Sequence, residues 1–105
     1  MAQLKLEKRG HTALITMANP PANTWTKETL TQLRDAVKSL EQDKTIYALV
    51  ITGEGEKFFS AGADLNLFAS GDKAVAADMS AIFGEAFETL TAFRGVSIAA
   101  INGYA

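Results

Sequence analysis

The chain has 105 residues, 48% of them hydrophobic and 21% charged, the composition of one small soluble globular domain. Ten Lys+Arg against twelve Asp+Glu leave a formal net charge of -2, which offers no electrostatic footprint for nucleic acid and no polybasic run for a membrane surface. The absence of cysteine excludes disulfide frameworks, thiolate metal sites and cysteine nucleophiles.

Met1 to Gly10 is charged and lacks the apolar stretch of a secretory signal, so a cytoplasmic location is expected. The longest apolar runs are too short to cross a bilayer. Leu4 to Arg9 begins as an alternating, half-buried strand, Gly10-His11 suits a tight turn, and Thr12 to Met17 is a second strand. Asn19-Pro20-Pro21-Ala22-Asn23 breaks the pattern, because two prolines fix φ and forbid a helix start before them. Thr26 then caps a helix with Glu28 in its first turn and Leu30, Leu33, Val37 and Leu40 on one stripe, ending near Asp43.

Tyr47 to Thr52 is a continuous apolar run, the pattern of a strand buried on both faces. A polar loop, Gly53 to Lys57, leads to Phe58-Phe59-Ser60 and the small-residue turn Ala61-Gly62-Ala63. Asp64 is placed to cap a short helix through Ala69. A long helix is expected from about Lys73 to Phe93, with Ile82, Phe83, Ala86, Phe87, Leu90 and Phe93 on one face and Gly95 as its C-terminal cap. Val96 to Ile101 reads as a buried strand, and Asn102 to Ala105 as a turn. A chain stopping on a turn beside a core strand is expected to be a piece of a larger domain. The order β-β-α-β-(turn)-α-β predicts an α/β fold with a mostly parallel sheet.

The chemistry is concentrated in Phe59 to Leu65. A strand ends, small residues turn, and a helix begins. A ligand can reach the backbone of Ala61, Gly62 and Ala63, and N–H groups at a helix start have no intrahelical partner. They would stabilise a carbonyl oxygen that gains charge. The local pattern alone fits a plain close-packed turn better.

The segment Phe58-Phe59-Ser60-Ala61-Gly62-Ala63-Asp64-Leu65 resembles the F-x-A-G-A-D-L/I motif of the enoyl-CoA hydratase/isomerase (crotonase) superfamily. Asn19-Pro20-Pro21-Ala22-Asn23 is similar to its Pro-x-x-Asn-Ala loop, and Ile98 to Ala105 to the start of its A-x-x-N-G-x-A-x-G-G-G segment. The helix and strand from Leu40 to Gly53 are similar to the family's approach to the motif. The resemblance runs the length of the chain.

It implies that residues 1–105 are the N-terminal portion of a crotonase-like ββα spiral. The implied ligand is an acyl-CoA thioester, with coenzyme A as part of the substrate and no resident cofactor or metal. The Ala63 N–H would be one oxyanion-hole donor. Ala61, Gly62, Asp64 and Leu65 would line the CoA path, and Ala22, Asn23 and Thr24 would wall its adenine or pantetheine end. Thr24 and Trp25 depart from the family's small and aliphatic residues there. The second donor and the hydratase carboxylates belong to segments after Ala105. Enoyl-CoA hydration is therefore expected of a parent protein, in a homo-oligomer (a trimer or dimer of trimers), and not of these residues alone.

Alternatives are another crotonase activity such as enoyl-CoA isomerisation, or an inert, association-only piece with half a CoA site. A small nucleotide-binding α/β domain is disfavoured, because Asn19-Pro20-Pro21 stands where a phosphate loop belongs. His11, Glu85, Glu88 and Asp64 are read as surface or capping residues, and Trp25 as a core or subunit contact at least as readily as a ligand contact. The apolar face of the Ile82 to Phe93 helix and one sheet edge are expected to be exposed and to favour association.

Overall fold

The computed structural model describes residues 3–63 and 71–105. Their elements are β1 (Gln3–Arg9), β2 (Thr12–Ala18), α1 (Lys27–Gln42), β3 (Ala48–Gly53), α2 (Lys73–Thr91) and β4 (Val96–Ala99). The sheet order is β1-β2-β3-β4. β1 and β2 form an antiparallel hairpin, whereas β2–β3 and β3–β4 are parallel. Gly10 turns the hairpin with φ +60, a conformation glycine adopts at little cost.

The α1 stripe is the centre of the core. Leu30 and Leu33 are 0% exposed, Val37 and Leu40 1%, and each such side chain contributes about 1.5–3 kcal/mol by leaving water. Ala13, Ile15 and Met17 of β2 and Leu49 and Ile51 of β3 complete it from the sheet. The start of α1 is closed reciprocally: Thr29 N donates to Thr26 Oγ1 (3.2 Å) and Thr26 N to Thr29 Oγ1 (2.9 Å). Its end is closed from a distance. Arg94 Nε donates to Glu41 O (3.2 Å), and Arg94 Nη2 to Leu40 O (3.4 Å) and Asp43 O. A guanidinium there satisfies terminal carbonyls and complements the helix dipole.

Helix α2 starts at Asp72, whose Oδ1 accepts from Ala74 N (2.8 Å). Met79, Ile82 and Ala86 are buried, and Phe83, Phe87 and Leu90 pack on the same core. The expected exposure of this apolar face is therefore corrected, because the helix lays it against α1 and the core. Gly95 is not the C-terminal cap. Ala92 is, with its N–H on Glu88 O and Leu90 O. A Cβ at Gly95 would collide with the Tyr47 carbonyl, so the glycine serves the close approach of β4 to the start of β3.

Two strands are less buried than their apolar runs predict. β3 alternates, with Leu49, Ile51 and Gly53 buried and Ala48, Val50 and Thr52 half-buried. β4 ends at Ala99 and is exposed throughout, with Val96 60% and Ile98 49% accessible. It is a sheet edge with β3 as its only strand partner among the described residues. An apolar run buries both faces only where other elements cover both.

Asp43 gives the fold an acid-sensitive point. The Lys8 ammonium 2.8 Å away and the N–H and hydroxyl of Thr45 hold its carboxyl well below the usual carboxylate range. A depressed folded-state pKa stabilises the fold fully above the ordinary carboxylate value, and the effect is lost as pH falls below it. Asp43→Asn should unfold at lower urea than the parent at neutral pH, and the difference should close in acid. A pH-independent difference would contradict this assignment.

Candidate functional site

Three segments meet beside the C-terminal end of β3. The first runs from Asn19 to Trp25, where the Pro20-Pro21 bond is cis and Asn23 N donates to Asn19 O (2.8 Å). The second is the motif loop, residues 53–63. The third, residues 100–104, continues from β4.

Two asparagine amides hold the motif loop in place. Asn23 is 1% exposed with φ 54. Its Nδ2 donates to Glu54 O and Phe58 O (both 3.0 Å), and its Oδ1 accepts from Asn19 N (3.1 Å). On the other side, Asn102 Nδ2 donates to Gly53 O (2.7 Å) and Gly55 O (3.1 Å), while its Oδ1 accepts from Gly53 N (3.1 Å). The chain around them is close. A Cβ at Gly53 would lie 2.7 Å from Phe58 O and 2.8 Å from Asn23 Nδ2. Tyr104 then pairs with the loop: its N donates to Lys57 O (2.9 Å), and its O accepts from Phe59 N (2.8 Å).

The motif turn is tied to the first segment by a short ladder. Ala61 N donates to Ala22 O (3.0 Å), and Trp25 N donates to Gly62 O (2.7 Å). Ser60 Oγ donates to Asn23 O (2.8 Å) and accepts from Gly62 N (3.2 Å). Gly62 has φ 87, and a Cβ built there would meet nothing within 4 Å. Its glycine is therefore demanded by conformation, and the surrounding space is open.

That ladder aims the Ala63 N–H. In a trans peptide the carbonyl of one residue and the N–H of the next point opposite ways. With the Gly62 carbonyl held by Trp25, the Ala63 N–H is turned away from the Trp25 segment. No acceptor takes it among the described residues. Ala61 and Gly62 are exposed and Ala63 half-exposed, so the turn is accessible.

The resemblance-derived site residues thus divide. Ala22, Thr24, Ala61, Gly62 and Ala63 come together around the turn. Asn23 is corrected from ligand wall to internal support, because its amide is buried and spent on backbone groups. Thr24 O and Oγ1 accept from Asn19 Nδ2 (2.8 and 3.2 Å). Asp64 and Leu65, with the short helix expected through Ala69, lie outside the described residues.

Other candidates are accounted for. His11 stacks on Tyr47 with ring centroids 4.5 Å apart, and its Nδ1 donates to Thr45 O (2.8 Å). Glu85 pairs with Arg34 (3.2 Å) and Glu88 is exposed. Trp25 is 7% exposed and meets Phe87 edge-on at 5.6 Å, a core contact. The described residues contain no acidic, histidine or cysteine cluster able to hold a metal, and no helix among them is long and apolar enough to cross a membrane. Residues 58–63 and 22–25 include no acid, histidine, lysine or arginine. The backbone N–H groups of this turn can polarise an oxygen.

Residues 7–105 match the family model described as enoyl-CoA hydratase/isomerase. The chain belongs to this family. Over 101 residues it is 35% identical to a crotonyl-CoA hydratase of Syntrophomonas wolfei, covering 95% of this chain and 39% of that protein. Among solved structures, Pseudomonas aeruginosa DspI is 66% identical with a TM-score of 0.95, over 97% of this chain and 39% of that one. A human mitochondrial delta3-delta2-enoyl-CoA isomerase is 29% identical with a TM-score of 0.88, over 95% of this chain and 40% of that one. The chain thus spans about two-fifths of the length of these proteins. The α/β fold expected of the family is the one observed.

Three supporting residues escaped the sequence reading: Asn19, Ser60 and Asn102. Ser60 and Asn102 bond backbone groups of another segment, whereas Asn19 braces its own, donating to Thr24 O. Asn102 was noted only as part of the Asn-Gly pair, which marks a turn and says nothing about a partner 49 residues away.

Proposed function

We propose that the chain supplies one oxyanion donor and part of the thioester-binding wall of an acyl-CoA enzyme that hydrates 2-enoyl-CoA reversibly. The observation that carries this is the Ala63 N–H of a half-exposed residue, aimed by the Trp25–Gly62 hydrogen bond (2.7 Å) and taken by no acceptor among the described residues. Adding water across the 2,3-double bond places charge on the thioester oxygen, and a fixed N–H at that oxygen lowers the barrier. The reaction also needs one group to activate water and one to protonate the α-carbon. Residues 22–25 and 58–63 contain no ionisable side chain, and the resemblance places the family's catalytic carboxylates after Ala105, so residues 1–105 are proposed to be inactive alone. The name of the 35% identical crotonyl-CoA hydratase favours hydration. The isomerase at 29% identity keeps enoyl-CoA isomerisation as the second reading, since the same donor would stabilise either enolate. A homo-oligomer, which the family resemblance implies, belongs to the proposal.

The test is hydration of crotonyl-CoA followed by loss of its enoyl absorbance. Residues 1–105 alone should show no turnover. Joined after Ala105 to the remaining part of a crotonyl-CoA hydratase, they should restore it. Hydration by residues 1–105 alone would refute the division of labour proposed here. A joined chain that isomerises 3-enoyl-CoA but does not hydrate crotonyl-CoA would favour the second reading.

A further inference from the structure

We infer that Ser60 is a positioning residue for the Ala63 donor, acting through the two peptide planes that flank Gly62; this rests on the oxyanion reading of Ala63. Gly62 is the weak point of the turn. It has no Cβ, its φ is 87, and nothing crowds the side where a Cβ would stand. A glycine so placed lets its neighbouring peptide planes rotate readily.

Each plane has one tie among the described residues. The plane after Gly62, which carries the Ala63 N–H, is held by Trp25 N on Gly62 O (2.7 Å). The plane before it is held at Gly62 N by Ser60 Oγ (3.2 Å). The Ser60 hydroxyl is itself oriented, because its proton goes to Asn23 O (2.8 Å) and leaves a lone pair for Gly62 N. Asn23 is buried and bound through its amide on three sides, so the anchor is rigid. The run Asn23 O, Ser60 Oγ, Gly62 N therefore transmits the position of a buried residue to the turn that carries the Ala63 donor. Donor and acceptor roles alternate along it, which strengthens each bond.

The chemistry needs a hydroxyl at residue 60. Alanine has none, and a cysteine thiol of similar shape is a weak donor and acceptor. Threonine keeps the hydroxyl. The experiment uses residues 1–105 labelled with nitrogen-15, reading N–H residual dipolar couplings of Gly62 and Ala63 with no ligand present. Wild type and Ser60→Thr should agree. Ser60→Ala and Ser60→Cys should change both couplings while the rest of the spectrum stays as in the wild type. Butyryl-CoA, a saturated thioester, should move the Ala63 amide resonance of the wild type and bind Ser60→Ala about fivefold more weakly, the worth of one neutral hydrogen bond.

Couplings unchanged in Ser60→Ala overturn the positioning role. Ser60→Thr behaving like Ser60→Ala overturns the hydroxyl as its cause. Changed couplings in Ser60→Ala support the backbone lock, and a chain joined after Ala105 to the rest of a crotonyl-CoA hydratase that still fails to bind butyryl-CoA overturns the acyl-CoA reading instead.

Discussion

Replacing Asn23 by alanine is expected to lower the stability of the fold by about 3–5 kcal/mol. The side chain makes three hydrogen bonds to backbone groups of Asn19, Glu54 and Phe58 while only 1% exposed. Each such group left without a partner costs about 1–3 kcal/mol, less where water reaches it. The backbone adds a smaller term. Asn23 sits at φ 54, which asparagine tolerates and alanine resists by about 1–2 kcal/mol. Asn23→Gly removes that backbone penalty and keeps the lost hydrogen bonds, so it should recover part of the deficit. Asn23→Asp should be at least as damaging as alanine, since a carboxylate would face the carbonyl oxygens of Glu54 and Phe58 in a buried site. Urea unfolding followed by circular dichroism measures all three. A loss below about 1 kcal/mol for Asn23→Ala would show that the segment relaxes and water replaces the amide.

The second large effect is on chemistry. Replacing Ala63 by its α-hydroxy acid analogue exchanges the amide for an ester and removes the N–H without altering the side chain. In the joined, active chain this should reduce kcat for crotonyl-CoA hydration by about 10²–10³-fold, the usual worth of one oxyanion donor. Butyryl-CoA binding should weaken much less, because the bond strengthens as the thioester oxygen gains charge. A kcat within about threefold of the parent would remove Ala63 from the reaction. Ser60→Ala should fall between these limits, since it misaims the donor without deleting it.

Both effects trace to one arrangement. A buried asparagine and the motif turn are joined through Ser60, and Trp25 holds the same turn from the other side. Stability and polarisation are thus coupled in this corner. Substitutions at Asn23 and Ser60 should be non-additive, because they share partners.

The β1–β2 hairpin, the α1 stripe and the order of elements are legible in the sequence. Their signals are local: alternation every second residue, apolar side chains every three or four, and a Thr that caps from the preceding position. The accessible small-residue turn was legible for the same reason, and so was the family, through motifs spaced along the whole chain. Burial was less legible. Val96 to Ile101 and Tyr47 to Thr52 have equally apolar runs, yet β4 lies at a sheet edge and β3 is interior. Composition records what a strand is able to bury, and only its neighbours decide whether it does.

The sequence by itself determined which segments form, where the backbone must turn without side chains, and which family the turn resembles. These follow from short-range sterics and periodicity. The tertiary structure alone decided that Asn23 supports the loop instead of a ligand, that Gly95 yields to the Tyr47 carbonyl, and that Asn102 and Ser60 aim backbone groups. Those roles depend on hydrogen bonds and close contacts spanning up to 49 residues of chain, and the same asparagine or serine in an isolated turn would read no differently. Directional bonds need a partner's position, which no local pattern contains.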